Sequence, residues 1–137
     1  MNHLALDSTA VLSLCVDHPH RDPLVDLFMD SEVVSASALA LTEALAGIDR
    51  ITDSSIDRGD LEDEVRLLWD QVHVVPIDTA CLEDAAVLLR QRPLRLSDAI
   101  HLSAAVRLGR GLTWATHDPV QIAVAEGLGL GVWSPTS

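Results

Sequence analysis

The sequence contains no lysine, and all nine basic residues among its 137 are arginines. A Walker-type lysine, a Schiff-base lysine and a lysine general base are therefore excluded. Acidic residues number 21, and the formal net charge at pH 7 is −12. This balance argues against broad nonspecific affinity for nucleic acid, because such affinity depends on neutralising phosphates. A nucleic-acid substrate would need a local basic path or bridging cations.

Cysteine and long apolar runs are also scarce. Cys15 and Cys81 are far apart in the chain and have no second pair beside them, which favours two reduced core thiols over a disulfide framework or a zinc site. No apolar run approaches the roughly 18 residues of a membrane span. The N-terminus lacks the basic start and the apolar region of a signal peptide. We therefore expect a cytoplasmic protein that does not associate with a membrane.

Aromatic residues are few, and a glycine-rich nucleotide-binding motif is absent from the sequence. Trp69, Trp114 and Trp133 are too scattered to predict a platform for stacking bases, so core or dimer packing is the expectation. No Gly-x-Gly-x-x-Gly follows a strand, which disfavours a nicotinamide oxidoreductase. Apolar residues, in contrast, make up 48% of the chain. This content and the length predict a single domain over residues 1–137.

Short apolar runs alternate with helical patterns along the whole chain. The runs predict strands at His3–Leu6, Glu32–Ala36, His73–Ile77, Leu112–Ala115 and Gly131–Trp133. The patterns predict helices at Thr9–Val16, Pro23–Met29, Ser37–Ile51, Asp53–Val72, Thr79–Gln91, Asp98–Leu108 and Asp118–Glu126, with Thr79 and Ser97 as caps and a break at 18–23. Such an alternation predicts an α/β fold with a parallel sheet that is covered on both faces.

Four carboxylates stand out by their positions. Asp7 follows the first predicted strand and Asp118 follows the fourth, so the two side chains converge if these strands are neighbours in the sheet. Glu43 is the only charged residue in the stretch 33–48, and Asp98 adjoins the apolar face of its helix. Burying an unpaired carboxylate costs several kcal/mol, so such residues either reach a solvent-filled cleft or meet a cation.

Each of these residues also has a purely structural interpretation. Asp7 and Asp118 are good helix caps, Asp98 lies in a first helical turn, where the helix dipole favours acids, and Glu43 can face water. As a group, however, an oxygen-rich cluster suits Mg²⁺ or Mn²⁺, which bind phosphate oxygens alongside protein carboxylates. His101 shares the helix face of Asp98, and both a metal-binding role and a packed position remain open for it.

Four motifs in this order resemble the PIN-domain nucleases, and within them the VapC toxins of bacterial VapBC toxin–antitoxin pairs. They are Leu6-Asp7-Ser8-Thr9-Ala10, Glu43 in the helix after the second strand, Leu96-Ser97-Asp98-Ala99-Ile100-His101-Leu102, and Thr116-His117-Asp118. The resemblance covers nearly the whole chain. It implies a PIN-like three-layer α/β/α fold with strand order 3-2-1-4-5. It also implies that Asp7, Glu43, Asp98 and Asp118 are the catalytic and metal-binding acids, and that Thr9 and Thr116 are supporting hydroxyls.

The function implied by this resemblance is metal-dependent endoribonuclease activity, the hydrolysis of phosphodiester bonds in RNA with Mg²⁺ or Mn²⁺. The resemblance further implies a homodimer and a cognate VapB-type antitoxin that blocks the acidic site. Arg92 and Arg95 are candidate contacts for RNA phosphates, with pairing to acidic helices as the alternative. Two other functions stay open, namely a PIN fold that binds a partner without cutting and a doubly wound phosphatase. The phosphatase is disfavoured, because Thr9 stands where the haloacid-dehalogenase pattern needs a second aspartate.

Overall fold

A parallel sheet forms the centre of the molecule. The computed structural model describes residues 2–16, 21–109 and 111–135. The strands in these ranges are β1 (His3–Leu6), β2 (Val33–Ser37), β3 (His73–Val75), β4 (Thr113–Ala115) and β5 (Gly131–Trp133). Every pairing is parallel, and the strand order is β3-β2-β1-β4-β5. The predicted fold class and strand order are confirmed.

Helices cover both faces of the sheet. In the described ranges they are α1 (Ser8–Cys15), α2 (Arg21–Asp30), α3 (Ala38–Ile48), α4 (Ser55–Trp69), α5 (Thr79–Gln91), α6 (Leu96–Val106) and α7 (Pro119–Gly127). Because successive side chains of a strand point to opposite faces, Leu4 and Leu6 pack with α1 to α4, whereas Ala5 packs with α5 to α7. The sheet is therefore the middle of three layers, as the resemblance implies.

Close packing of α1 against α3 brings two candidate site helices together. Ala40 and Ala44 of α3 are fully buried, and Gly47 lies next to Leu12 of α1. A Cβ atom at Gly47 would lie 2.6 Å from Cδ1 of Leu12, which is closer than real Cβ contacts. Small residues on α3 thus let the two helices approach, and this approach sets the position of Glu43.

The caps of two helices differ from the predictions. Asp78, not Thr79, caps α5, because the Asp78 carboxylate accepts a hydrogen bond from the Cys81 N–H at 2.9 Å. Ser97 is not the cap of α6 either, since this helix begins at Leu96, two residues before the predicted start, and has Arg95 at its N-cap without a side-chain cap bond. The predicted bounds of α5 are confirmed and only its cap is wrong, whereas the predicted first turn of α6 is misplaced. The shift places Asp98 at the third helical residue.

Several other strands and helices are shorter than predicted. The third strand stops at Val75, because the following Pro76 has no N–H to continue the ladder. Helix α3 ends at Ile48, and α4 begins only after Ser54, whose hydroxyl caps it. Positions 18–20 of the predicted break lie outside the described residues. No described helix is long and apolar enough to cross a membrane.

Candidate active site

Asp7 lies at the carboxyl end of β1 and is only 1% exposed. Its Oδ1 accepts hydrogen bonds from the Thr9 hydroxyl at 2.6 Å and from the Ala10 backbone N–H at 2.8 Å. Its Oδ2 accepts a hydrogen bond from the Thr116 hydroxyl at 2.6 Å. Buried carboxylates are stable only with such partners, and three of them fix the orientation of this one. Asp7 therefore caps α1, as the structural interpretation predicts, and is also a positioned acid at the edge of the sheet.

Asp118 lies next to Asp7 across the β1–β4 pair. The backbone N–H of Asp118 donates to the Thr116 hydroxyl at 3.0 Å, and this hydroxyl donates to Asp7. The backbone N–H of His117 also donates to the Thr9 hydroxyl, at 3.3 Å. Thr9 and Thr116 thus join the segments that follow β1 and β4. Asp7 and Asp118 are connected through these two hydroxyls. Asp118 also caps α7 through the Val120 N–H at 3.0 Å.

Glu43 projects from α3 and is held by a buried histidine. His101 of α6, which is 1% exposed, shares a short hydrogen bond through Nε2 with the Glu43 carboxylate. The other ring nitrogen, Nδ1, lies 2.5 Å from the hydroxyl oxygen of Ser37. The hydrogen bond from His101 lowers the pKa of Glu43. Because both nitrogens of His101 are engaged, this residue positions Glu43 rather than binding a metal ion itself.

Asp98 is the one acidic residue of α6, and only 3% of it is exposed. The guanidinium of Arg95 donates from Nε to Oδ2 at 2.9 Å and from Nη2 to Oδ1 at 3.3 Å. Burial raises the pKa of Asp98, although the guanidinium opposes this shift. Nη2 of Arg95 also lies 4.0 Å from Oδ2 of Asp118. One arginine therefore contacts two of the four predicted acids.

A small cavity lies beside Glu43 and Arg95. Its volume is about 160 Å³, and its lining includes Thr9, Glu43, Arg50 and Arg95. The two arginines bring positive charge to a site that is otherwise acidic. Arg50 was not among the predicted site residues, since its only signal in the sequence is its position at the end of the helix that carries Glu43.

Arg92 and Arg95, the two predicted RNA contacts, lie at different places in the structure. Arg95 lies at the acids, whereas Arg92 lies against the end of α7, where a Cβ atom on Gly127 would be 3.0 Å from its Nη2 atom. A helix C-terminus carries partial negative charge, so this position suits a guanidinium. The alternative interpretation, pairing of arginines with acidic groups, holds for Arg95. Its partner is a predicted site residue rather than a solvated acidic helix.

Sequence reasoning missed two connections within this site. The contact of Ser37 with His101 joins residues 64 positions apart. It depends on the packing of α6 against β2, which no local pattern reports. The pairing of Arg95 with Asp98 had a local signal, because residues three apart at a helix start face each other. The competing interpretation of Arg95 as a phosphate contact hid that signal.

The donor chemistry of the site fits a hard divalent cation. Carboxylates and hydroxyls from four segments face one edge of the sheet, and Mg²⁺ and Mn²⁺ prefer such oxygen ligands. In the arrangement seen here, however, no three His, Cys, Asp or Glu side chains of the described residues are grouped so that they could hold one ion. Arg95 occupies the space beside Asp98 and Asp118, and His101 engages Glu43.

Comparison with known proteins places the chain in a family. Residues 4–127 match the PIN domain. The chain is 30% identical over 138 residues to Ribonuclease VapC46 of Mycobacterium tuberculosis (strain ATCC 25618 / H37Rv), and the match covers 99% of this chain and 100% of that protein. The residues that match the PIN domain span the positions of all four predicted acids.

Solved structures share the fold at lower identity. A toxin–antitoxin complex from Klebsiella pneumoniae contains a chain with a TM-score of 0.71 and 19% identity, and the match covers 98% of both chains. VapBC2 from Rickettsia felis, bound to a DNA fragment from its promoter, gives a TM-score of 0.70 and 12% identity over 98% of this chain and 99% of that one. These likenesses support the fold, and the sequence match supports the family: the chain belongs to the PIN domain family.

Proposed function

We propose that this protein is a VapC-type endoribonuclease, the toxin of a toxin–antitoxin pair, and that it hydrolyses phosphodiester bonds in RNA with Mg²⁺ or Mn²⁺. The observation that supports the proposal is a set of contacts at one edge of the sheet: the Thr116 hydroxyl bonds the Asp7 carboxylate and the Asp118 backbone, and Arg95 contacts the carboxylates of Asp98 and Asp118. Glu43 faces the adjoining cavity. The name of the full-length relative, a ribonuclease, supports the same chemistry.

The four acids would hold the cation, each from a different segment of the chain. A bound Mg²⁺ or Mn²⁺ supplies a Lewis acid that activates water and neutralises charge on the phosphate. Asp7 provides a fixed point, because Thr9, Thr116 and the start of α1 set its orientation. For Asp98 and Asp118 to join it, Arg95 must leave them.

Glu43 has a different part in this proposal. The hydrogen bond from His101 keeps its pKa low, so Glu43 is a carboxylate at neutral pH. It lines the cavity, where a carboxylate accepts a hydrogen bond from water and orients it. His101 is therefore a positioning residue: it holds one oxygen of Glu43 and is itself held by Ser37.

RNA has to reach this site on a strongly acidic protein. Arg50 and Arg95 line the cavity beside Glu43 and provide the local positive charge that a phosphate needs. The predicted contribution of Arg92 to RNA binding stays a prediction.

We also propose a cytoplasmic protein that forms a homodimer and binds a VapB-type antitoxin. The neighbouring structures, which include toxin–antitoxin complexes, support the antitoxin.

Cleavage of a total RNA pool by the purified chain tests the proposal. Fragments should appear with Mn²⁺ or Mg²⁺, disappear with a chelator, and be absent for Asp7→Asn under all conditions. Asn keeps the cap of α1 but brings no charge for a cation; because its amide nitrogen cannot accept the bond from Thr116, circular dichroism and a melting curve must show that the variant is folded. A well-folded chain that leaves RNA intact in every metal would favour the other family reading, a PIN fold that binds a partner without cutting.

A further inference from the structure

Among the described residues, Arg95 is the arginine whose guanidinium contacts the carboxylates of Asp98 and Asp118. It donates two hydrogen bonds to Asp98, lies 4.0 Å from Asp118 and lines the same cavity as Glu43. Two carboxylates therefore share one positive charge, and a third lies in the adjoining cavity. Without it, like charges at short range would repel one another, and Asp98 would be a buried acid with no ionic partner.

The two members of this pair differ in their freedom to move. The Arg95 side chain is 65% exposed, whereas the Asp98 side chain is 5% exposed. Arg95 makes no side-chain cap bond to α6, so the start of the helix does not depend on where its guanidinium lies. The guanidinium can therefore turn out into solvent while Asp98 stays in place.

We infer that Arg95 is an intramolecular counter-ion that competes with the divalent cation for Asp98 and Asp118. The inference rests on the proposed metal site and adds a step to it. With no metal bound, Arg95 neutralises the acids; when the cation binds, the guanidinium turns away from the acids toward solvent, where it can meet a phosphate. It explains why the acids fit a cation chemically but are not grouped around one point in the present arrangement.

Competition between Arg95 and the metal for the same acids is reciprocal. If Arg95 weakens metal binding by holding the acids, then metal binding must weaken the hold of Arg95 on the acids by the same factor. Removal of the guanidinium should accordingly have two opposite effects: the metal-free protein loses stability, and its affinity for the metal rises. A residue that served only the fold would show the first effect alone.

The experiment compares Arg95→Gln with Arg92→Gln by calorimetric titration with Mn²⁺ and by thermal unfolding in a chelator. Both substitutions remove one positive charge, so general electrostatics change equally, but only one removes the charge at the acids. Arg95→Gln should bind Mn²⁺ about ten-fold more tightly than the unmodified chain, a difference of about 1.4 kcal/mol. It should also melt a few degrees lower in chelator, because Asp98 loses its partner. Arg92→Gln should change neither quantity appreciably.

Arg95→Lys provides a second variant that keeps the charge but lacks the two-pronged guanidinium. Its Mn²⁺ affinity should lie between those of the unmodified chain and Arg95→Gln. Equal affinities for Arg95→Gln and Arg92→Gln would overturn the inference and leave the proposed metal site intact. Absence of Mn²⁺ binding in the unmodified chain and in all three variants would overturn both. Binding in Arg95→Gln but not in the unmodified chain would support the inference in its strongest form.

Discussion

Two aspartates at the starts of the consecutive helices α5 and α6 each pair with an arginine, and their pKa values shift in opposite directions. Arg107 donates to both oxygens of Asp78, at 2.6 and 2.9 Å, and Arg95 donates to both oxygens of Asp98. The hydrogen bond from Arg107 lowers the pKa of Asp78. Burial raises the pKa of Asp98 in spite of its arginine. The side chain of Asp78 is 50% exposed, and that of Asp98 is 5% exposed.

The difference shows that access to water, not the arginine partner, decides the behaviour of the acid. Asp78 is charged whether or not Arg107 is present, because water solvates its carboxylate. Asp98 has lost most of that solvation, so its charged form depends on a nearby cation. A pair of the first kind can only brace α5 against α6. A pair of the second kind leaves an acid that can exchange one cation for another.

Removal of the charge of each acid in turn tests the difference between Asp98 and Asp78 most directly. Asp98→Asn should lower the rate of RNA cleavage on the order of 10²-fold or more, because it removes a group that holds charge at the reacting centre. Asp78→Asn should leave the rate within about two-fold, since Asn retains the cap of α5. Initial rates with a defined RNA at saturating Mn²⁺ measure both.

The melting temperature in the presence of Mn²⁺ provides a control for this comparison. A ligand that binds only the folded state adds about 2.7 kcal/mol of stability at 100 times its Kd. The unmodified chain and Asp78→Asn should both show this rise, whereas Asp98→Asn should show much less. Similar rises in all three proteins would mean that the metal does not bind at Asp98.

Asp118 provides a third test, because it shares features with both Asp78 and Asp98. Its side chain is 25% exposed, it caps α7, and it lies near Arg95. Asp118→Asn should keep its stability in chelator but lose most cleavage, since Asn caps about as well as Asp and brings no charge. Asp118→Ala should lose cleavage and also about 1 kcal/mol of stability. Denaturant unfolding in chelator and Mn²⁺-dependent cleavage distinguish the two; full activity in Asp118→Asn would leave the cap as its only role.

The sequence predicted the framework of this site better than its contacts. Short apolar strands separated by helices predict a parallel sheet, and parallel strands place their carboxyl ends at one edge. This reasoning placed Asp7 and Asp118 at the same edge of the sheet, and close to each other only if their strands are neighbours. The strand order that makes their strands neighbours came from the resemblance, because nothing in the local pattern of β1 or β4 specifies the partner.

The rest depends on packing that the sequence pattern does not contain. His101 and Glu43 are 58 positions apart, and their contact requires α3 and α6 to meet over the edge of β2. Arg95 has Asp98 three residues along the chain, but its approach to Asp118 joins residues 23 positions apart and depends on the packing of α6 beside the start of α7. Burial is a property of the assembled layers, so the opposite pKa directions of Asp78 and Asp98 have no counterpart in their neighbouring residues.

The smallest expected effect concerns the exposed pair and its dependence on pH. The folded pKa of Asp78 lies below its unfolded value of about 3.9. Its stabilising contribution is therefore present above that value and is lost as the pH falls through the folded pKa. Asp78→Asn should melt no more than roughly two degrees lower near pH 7, because exposed ion pairs contribute little.

This difference should shrink as the pH falls below about 4, since the unmodified carboxyl then becomes neutral as well. Arg107→Gln removes the same pair from the other side and should show a similar loss at pH 7. This loss should shrink as salt is added, because salt screens the pair in the unmodified chain. A deficit of Asp78→Asn that stayed constant from pH 7 to pH 3 would locate the effect in the cap of α5 and not in the charge, and the contrast between the two pairs would then rest on Asp98 alone.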